Sequence, residues 1–208
     1  GLMPFFMSLR ACVRMAVALE AGDVMEADAY ARLSGTLLAS AMSKPMVALG
    51  GLSGSGKSAL AKKLAPSLPG PAGARILRSD VLRKRLIGIP ASARADAQAY
   101  APAERARVYR ELVAAGLAAS TGASVILDAT FQTPSARRLA ASALGSRLHG
   151  YWLHAPLATR LSRVSQRSHD ASDADVRVAA AQHEPHELGA EWRCLDATQS
   201  LSNNSAVI

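Results

Sequence analysis

The sequence predicts an α/β fold, a parallel five-stranded sheet covered by helices on both faces and preceded by a small helical segment. Two observations predict it. Short apolar runs alternate with longer stretches of helical periodicity, as in parallel strands joined by crossover helices. The first strand run, Met46 to Leu49, also breaks directly into Gly51–Ser58, GLSGSGKS, before the helical stretch Ala59–Ala65. That is a complete G-x-x-x-x-G-K-[ST] pattern.

Residues 1–44 read as a helical unit. Phe5, Phe6, Leu9, Val13, Ala16 and Val17 recur at helical spacing, and Gly22-Asp23 breaks the run. A second helix from Val24 to Ala39 is expected to bury Tyr30, Leu33, Leu37 and Leu38. The segment reads as packing surface, and Ser43-Lys44-Pro45 marks the boundary with a second unit, 45–208.

In Gly51–Ser58 the glycines let the backbone turn tightly and bring successive N–H groups against phosphate oxygens. The helix that follows aims its dipole and free amides at the same point. Lys57 supplies a mobile cation, and the Ser58 hydroxyl is placed to ligate Mg²⁺. The nucleotide-binding set on this reading is Gly51, Ser53, Gly54, Ser55, Gly56, Lys57, Ser58 and Ala59. A glycine-serine linker would be the plainer role, but a strand before it and a helix after it argue for the phosphate site.

Further along, PSLPGPAG (Pro66 to Gly73) is a turn and Ala74 to Arg78 the second strand. Ser79 and Asp80 follow at its carboxyl end, then a basic helix, Val81 to Leu86, and a loop of small and polar residues, Gly88 to Ala97. A long helix is expected over Pro102–Ser120, stopped by Thr121-Gly122. Ser124 to Leu127 is the third strand, wholly apolar after its first residue and so central. Helix Pro134–Leu144, strand Gly150–Leu153, helix Pro156–Gln166, helix Ala174–His183 and strand Trp192–Leu195 complete the pattern. The tail, LSNNSAVI, is short and polar for a closing helix.

Functional side chains in such sheets gather where strands end at their carboxyl edge. Asp128 closes VILD, the pattern of a carboxylate that holds Mg²⁺ beside the loop hydroxyl; capping the next helix is its plainer role. Asp80 and Arg83 form D-x-x-R, one helical turn apart on one face. An acid there can deprotonate a hydroxyl while the cation binds substrate charge, or the acid can simply cap its helix. Arg160, Arg163 and Arg167 lead into HDASDAD and could close over a nucleotide, or form an exposed basic face. His183 and His186 are split by Pro185, which disfavours a helical metal pair. Trp152 and Trp192 read as sheet core.

Composition sets bounds. The formal net charge is +8, from 24 Lys+Arg against 16 Asp+Glu, which permits nucleic-acid binding without requiring it. Only 4% of residues are aromatic, too few for a base-stacking platform. Cys12 and Cys194 sit in no metal-ligand spacing and read as free, buried thiols of a reducing compartment. No apolar run approaches the ~20 residues of a membrane span, and GLMPFFMSLR lacks a signal peptide's order of charge and hydrophobicity, so the cytoplasm is the default.

Together GLSGSGKS, RSDVLRKRLIG, VILDATF, WLHAP and RLSRVSQRSHDASDAD resemble, over residues 45–197, a predicted P-loop kinase family with an AAA-type ATP-binding domain. Members are often fused behind an aminoglycoside-phosphotransferase-like domain. The D-x-x-R is similar to that of polynucleotide kinase, and gluconate kinase and zeta-type toxins belong to the same broad group. The resemblance implies a three-layer P-loop NTPase fold with strand order 2-3-1-4-5 and an ATP- and Mg²⁺-dependent phosphotransferase acting on a hydroxyl. It implies Lys57, Asp80, Arg83, Arg163 and Arg167 as catalytic residues, Arg160 with the loop at the nucleotide, and Ser58 and Asp128 at the metal. It also implies that residues 1–44 are the tail of a preceding phosphotransferase-like domain in a longer chain. A polynucleotide 5′-hydroxyl kinase and a non-catalytic nucleotide-binding regulatory module are the alternatives.

Overall fold

In the computed structural model, which describes residues 3–39, 44–70, 72–167 and 170–208, five parallel strands form one sheet in the order β2-β3-β1-β4-β5. The strands are β1 (Met46–Gly50), β2 (Ala74–Arg78), β3 (Ser124–Asp128), β4 (Leu148–His154) and β5 (Trp192–Asp196). Between them run α3 (Lys57–Leu64), α4 (Ser79–Leu86), α5 (Pro102–Ser120), α6 (Pro134–Leu144), α7 (Leu157–Ser165) and α8 (Val176–Ala180). The α1 (Met3–Glu20) and α2 (Val24–Ala39) helices precede the sheet, and α9 (Leu201–Ala206) follows it. This is the P-loop NTPase fold.

Strand alternation sorts the core into two layers. Met46, Ala48, Val125 and Leu127 face Leu112 and Val113 of α5 and Ala136, Ala140 and Leu144 of α6. Val47, Leu49 and Ile126 face the other way, onto Leu60, Ala61 and Leu64 of α3. Because β1 and β3 are buried at every position, they read as continuous apolar runs rather than alternating ones. In-register pairing sets Leu49 and Arg78 beside Asp128, so the first three strands end level at one edge.

Several boundaries move. β4 begins at Leu148, two residues before the expected Gly150, because Leu148 is buried and pairs with Met46. α4 starts at Ser79 directly after β2, which places Asp80 inside the first helical turn rather than before it. α8 is shorter than the expected Ala174–His183: Asp175 caps it by accepting from Val178 N at 2.9 Å. The polar tail does form a helix, capped by Ser200, and Asn204 is buried with its amide donating to Asp196 O at 2.9 Å. Both cysteines are free, but both are exposed, not buried. Trp152 and Trp192 are buried in the sheet layer as expected.

The helical pair also corrects its own reading. α1 and α2 pack through small residues, Ser8, Ala11 and Ala18 against Ala27 and Ser34, with a 2.8 Å hydrogen bond between the Ser8 and Ser34 hydroxyls. Leu37 is buried as expected, but Leu33 and Leu38 are exposed, as are Phe5, Phe6, Leu9, Val13 and Val17. Small residues permit close approach of two helix backbones, and that approach turns the large apolar stripe outward. The expected boundary at Ser43 lies outside the described residues, as does His169 of the HDASDAD segment.

Candidate active site

The carboxyl ends of β1, β2 and β3 converge on a cavity of about 380 Å³ whose floor is the loop Ser53–Ala59. The glycines there are steric necessities. Gly54 has φ 81°, and a Cβ on it would lie 2.3 Å from Arg160 O. Gly51 has φ 137°, and a Cβ would meet the Leu153 carbonyl at 2.7 Å. The loop is also braced from just beyond α8, where Gln182 Oε1 accepts from Ser53 N at 2.7 Å.

Lys57 Nζ donates to Leu52 O at 2.9 Å and lies 3.4 Å from Ser55 Oγ. Burial pushes its pKa below the usual lysine value, and the charges of Asp128 and Asp80 partly offset that. The Ser58 hydroxyl donates to Asp128 Oδ2 at 2.6 Å. These two oxygens, one from the first turn of α3 and one from the end of β3, are hard donors that suit Mg²⁺, which commonly takes one or two protein oxygens and fills its remaining positions with water and phosphate. Among the described residues no cluster of three or more His, Cys, Asp or Glu is placed to hold a metal.

Asp80 stands in the wall of this cavity and of a second one, about 430 Å³, on the far side of Ser53 and Thr130. Burial raises the Asp80 pKa, the neighbouring Asp128 charge adds to the rise, and Arg83 opposes it. A carboxyl poised above the ordinary range accepts a proton more readily than a surface aspartate does. Arg83 is buried in the second cavity rather than the first. Its Nη1 donates to Ala99 O at 2.7 Å, its guanidinium lies 4.5 Å from the Tyr100 ring centroid, and its Nε has no partner.

The three arginines in and just beyond α7 divide. Arg163 and Arg167 line the first cavity, where Arg163 Nη2 donates to Ala197 O at 2.9 Å and the buried Arg167 Nη1 is unpartnered. Arg160 is turned away from it: its buried guanidinium donates to Ala179 O at 3.0 Å and lies 3.4 Å from Ser53 O, so it supports the loop from behind. Gly51 likewise lies behind the cavity, donating its N–H to Thr130 O at 3.0 Å. His183 and His186 join no metal cluster among the described residues, and His154 Nδ1 lies 3.3 Å from Glu184.

Residues that no motif marked complete the site. Arg78, the last residue of β2, lies 3.3 Å from Asp128 and 2.5 Å from Asp170. Buried Lys84 pairs with Asp173 at 2.8 Å, and Tyr100 OH donates to the same carboxylate at 2.7 Å. Arg137 donates to the carbonyls of Phe131, Gln132, Glu187 and Leu188, which fixes the turn after β3. In that turn Phe131 holds a left-handed φ of 47°, with its amide donating to Tyr109 OH at 2.8 Å. The RKR run and the DASDAD run were visible as charge, but their pairing across the chain had no local signal.

Residues 46–188 match the AAA domain family AAA_33. The chain belongs to that family. Its fold is similar to that of a gluconokinase from Sinorhizobium meliloti, at 20% identity and a TM-score of 0.52, covering 79% of this chain and 89% of that one. A sugar kinase from Janibacter matches at 20% identity and TM-score 0.55, over 79% of this chain and 91% of that one. The APS kinase of Mycobacterium tuberculosis, in complex with AMPPNP and APS, matches at 21% identity and TM-score 0.53, over 79% and 94%. No curated protein matches the chain. No helix among the described residues is long and apolar enough to cross a membrane.

Proposed function

We propose that this AAA domain protein is an ATP- and Mg²⁺-dependent phosphotransferase that moves the γ-phosphoryl group to a hydroxyl of a small molecule. The observation that carries the reading is the position of Asp80, in the wall shared by the phosphate-loop cavity and the second cavity. The loop amides from Gly54 to Ser58 cradle the phosphates, and Lys57 leaves Leu52 O for the terminal phosphate. Bound between Ser58 and Asp128, Mg²⁺ would neutralise phosphate charge. The acceptor oxygen forms its bond to the γ phosphorus, the bond from that phosphorus to the β,γ-bridging oxygen breaks, and Asp80 takes the acceptor's proton. Arg163 and Arg167 stabilise the charge spread over the transferring group.

The charges of the second cavity favour an acceptor that bears an anion. Asp173 is matched by Lys84, Asp96 caps a backbone amide, and Arg94 is paired with Asp175. Arg83 keeps a free buried Nε, and Arg105 lines the cavity with no ion pair among the described residues. Arg83, anchored on Ala99 O but with its Nε open, and the unpaired Arg105 line the same cavity as the base and suit a hydroxyl compound carrying a carboxylate, sulfate or phosphate. The kinase neighbours and the resemblance support the class of reaction. The resemblance also supports residues 1–44 as the junction with a preceding phosphotransferase-like domain.

The test is ADP release from Mg·ATP by wild type, Lys57→Ala and Asp80→Asn, across sugars, sugar acids, APS, aminoglycosides and 5′-hydroxyl oligonucleotides. Stimulation by one acceptor, lost in Asp80→Asn while ATP binding persists, supports the reading. Transfer undiminished in Asp80→Asn removes the base assignment. A flat panel with Lys57-dependent ATP binding favours a regulatory nucleotide-binding module.

A further inference from the structure

Residues 170–175 form a strap that walls both cavities: Asp170 faces the first, Asp173 the second, and Ser172 both. Each of its three aspartates is paired with a basic residue from a different stretch. Asp170 holds Arg78 at the end of β2, Asp173 holds Lys84 on α4, and Asp175 holds Arg94 in the loop beyond. The pairs are unequal. Lys84–Asp173 is shut away, with side-chain exposures of 1% and 11%, so it is the fixed anchor. Arg94–Asp175 lies out in solvent, at 72% and 45%, and is worth little. Only Arg78–Asp170 lies inside the phosphate cavity.

Arg78 has a second partner there. Its Nε lies 3.3 Å from Asp128 Oδ2, the same oxygen that accepts from Ser58 Oγ at 2.6 Å. One guanidinium therefore ties the strap to the carboxylate that suits the metal. Its fork geometry allows this: Nε and Nη2 diverge, so one side chain spans two carboxylates. Arg167 leans on the same Asp170, with Nε 3.7 Å from the carboxylate.

From these contacts we propose that Arg78 is a positioning residue that links the metal position to the strap. A divalent cation at Asp128 competes with Arg78 for Oδ2. The strap is held to the sheet edge most firmly before the cation arrives, and its arrival leaves Arg78 attached to Asp170 alone. The wall of the acceptor cavity then becomes adjustable after nucleotide and metal bind, while the Lys84–Asp173 anchor keeps the strap in register. This inference rests on the first cavity being a Mg·nucleotide site.

The test is binding of a fluorescent ATP analogue, mant-ATP, titrated with Mg²⁺ on the full chain, together with amide hydrogen exchange over 170–175 without nucleotide. Arg78→Gln should lower the Mg²⁺ concentration for half-maximal binding, roughly 5- to 10-fold as for an ordinary coupling between sites. It should also speed exchange in the strap. Asp170→Asn should speed the same exchange while leaving the Mg²⁺ requirement within about twofold, since it does not touch Asp128. If Arg78→Gln does not fold, Arg78→Lys serves: its ammonium cannot bridge both carboxylates, and the same fall in Mg²⁺ requirement is expected. An unchanged or higher Mg²⁺ requirement in the folded variant overturns the link, with the nucleotide site intact. Absence of mant-ATP binding by wild type overturns both the link and the reading beneath it.

Discussion

The Ser58 hydroxyl and Asp128 Oδ2 lie 2.6 Å apart although 70 positions separate them in the chain. Parallel pairing of β1 with β3 sets Leu49 beside Asp128, so the loop leaving β1 carries Ser58 back over the acid. Removing the acid's charge while keeping its shape isolates the metal role. Asp128→Asn is expected to retain folding and lose the Mg²⁺ enhancement of nucleotide binding. Turnover should fall on the order of 10²-fold or more, as when a cation that neutralises phosphate charge is lost. A Mg²⁺ titration of mant-ATP binding checks the first outcome, and the ADP-release assay checks the second.

Asp80 makes a prediction with opposite signs for stability and activity. Burial and the Asp128 charge raise its folded pKa above the ordinary carboxylate value, against the pull of Arg83. The folded chain therefore holds this proton more tightly than the unfolded chain. The stability it contributes is full below the ordinary carboxylate pKa and is lost as pH rises through the higher folded value. Asp80→Asn carries no anion to bury, so it should melt above wild type at neutral pH and converge with it near pH 4. Transfer should drop by roughly 10²–10⁴-fold, the usual contribution of a general base. Paired melting curves at acid and neutral pH test this, and an Asp80→Asn melting temperature below wild type at neutral pH would count against the buried, raised carboxyl.

The loop is equally exposed to a single methyl group. Gly54 combines φ 81° with a Cβ position 2.3 Å from Arg160 O, and α7 is held there by the Arg160 guanidinium on Ala179 O. Backbone cannot yield as a flexible side chain can. Gly54→Ala should cost about 1–3 kcal/mol of stability, the usual range for a strained backbone position, and should weaken nucleotide binding more than it weakens folding. Chemical denaturation beside mant-ATP titration separates the two effects.

How much of this was legible follows from where each signal is stored. The phosphate loop, Asp80 and Asp128 are written locally, as short motifs at the ends of apolar runs, and strand alternation then decides which edge they share. The strand order followed from the family resemblance, and the sheet has it. Helical spacing gives Arg160 a face but not its neighbour: Arg163 faces the cavity, while Arg160 points beneath the loop. The strap partners of Arg78 and Lys84 lie some 90 residues on, and nothing in RSDVLRKR distinguishes the buried Arg83 and Lys84 from the exposed Arg85. The helical pair failed for the opposite reason. Its large apolar residues form the conspicuous stripe, while the contact is made by serines and alanines too small to register as a pattern.

Lys84 and Asp173 give the most demanding test of the strap. Lys84 Nζ also donates to Ala91 O at 3.1 Å, while Asp173 accepts in addition from Tyr100 OH and from Ala95 N at 3.0 Å. Burial alone would raise the Asp173 pKa, but the hydrogen bonds from Lys84 and Tyr100 outweigh it and hold the carboxyl below its ordinary value. Its contribution to stability is thus present above the unfolded carboxylate pKa and disappears as pH falls through the lower folded one. Lys84→Met keeps the stem's volume but leaves the acid with neutral partners, and removing one member of a buried pair typically costs about 3–5 kcal/mol. The acid limb of the stability curve should move to higher pH in that variant. Adding Asp173→Asn to Lys84→Met should recover part of the loss, because the buried, uncompensated anion goes with it. Urea denaturation of the two single variants and the double variant, at pH 7 and in acid, measures the coupling. Strict additivity at pH 7 would mean that the pair does not anchor the strap.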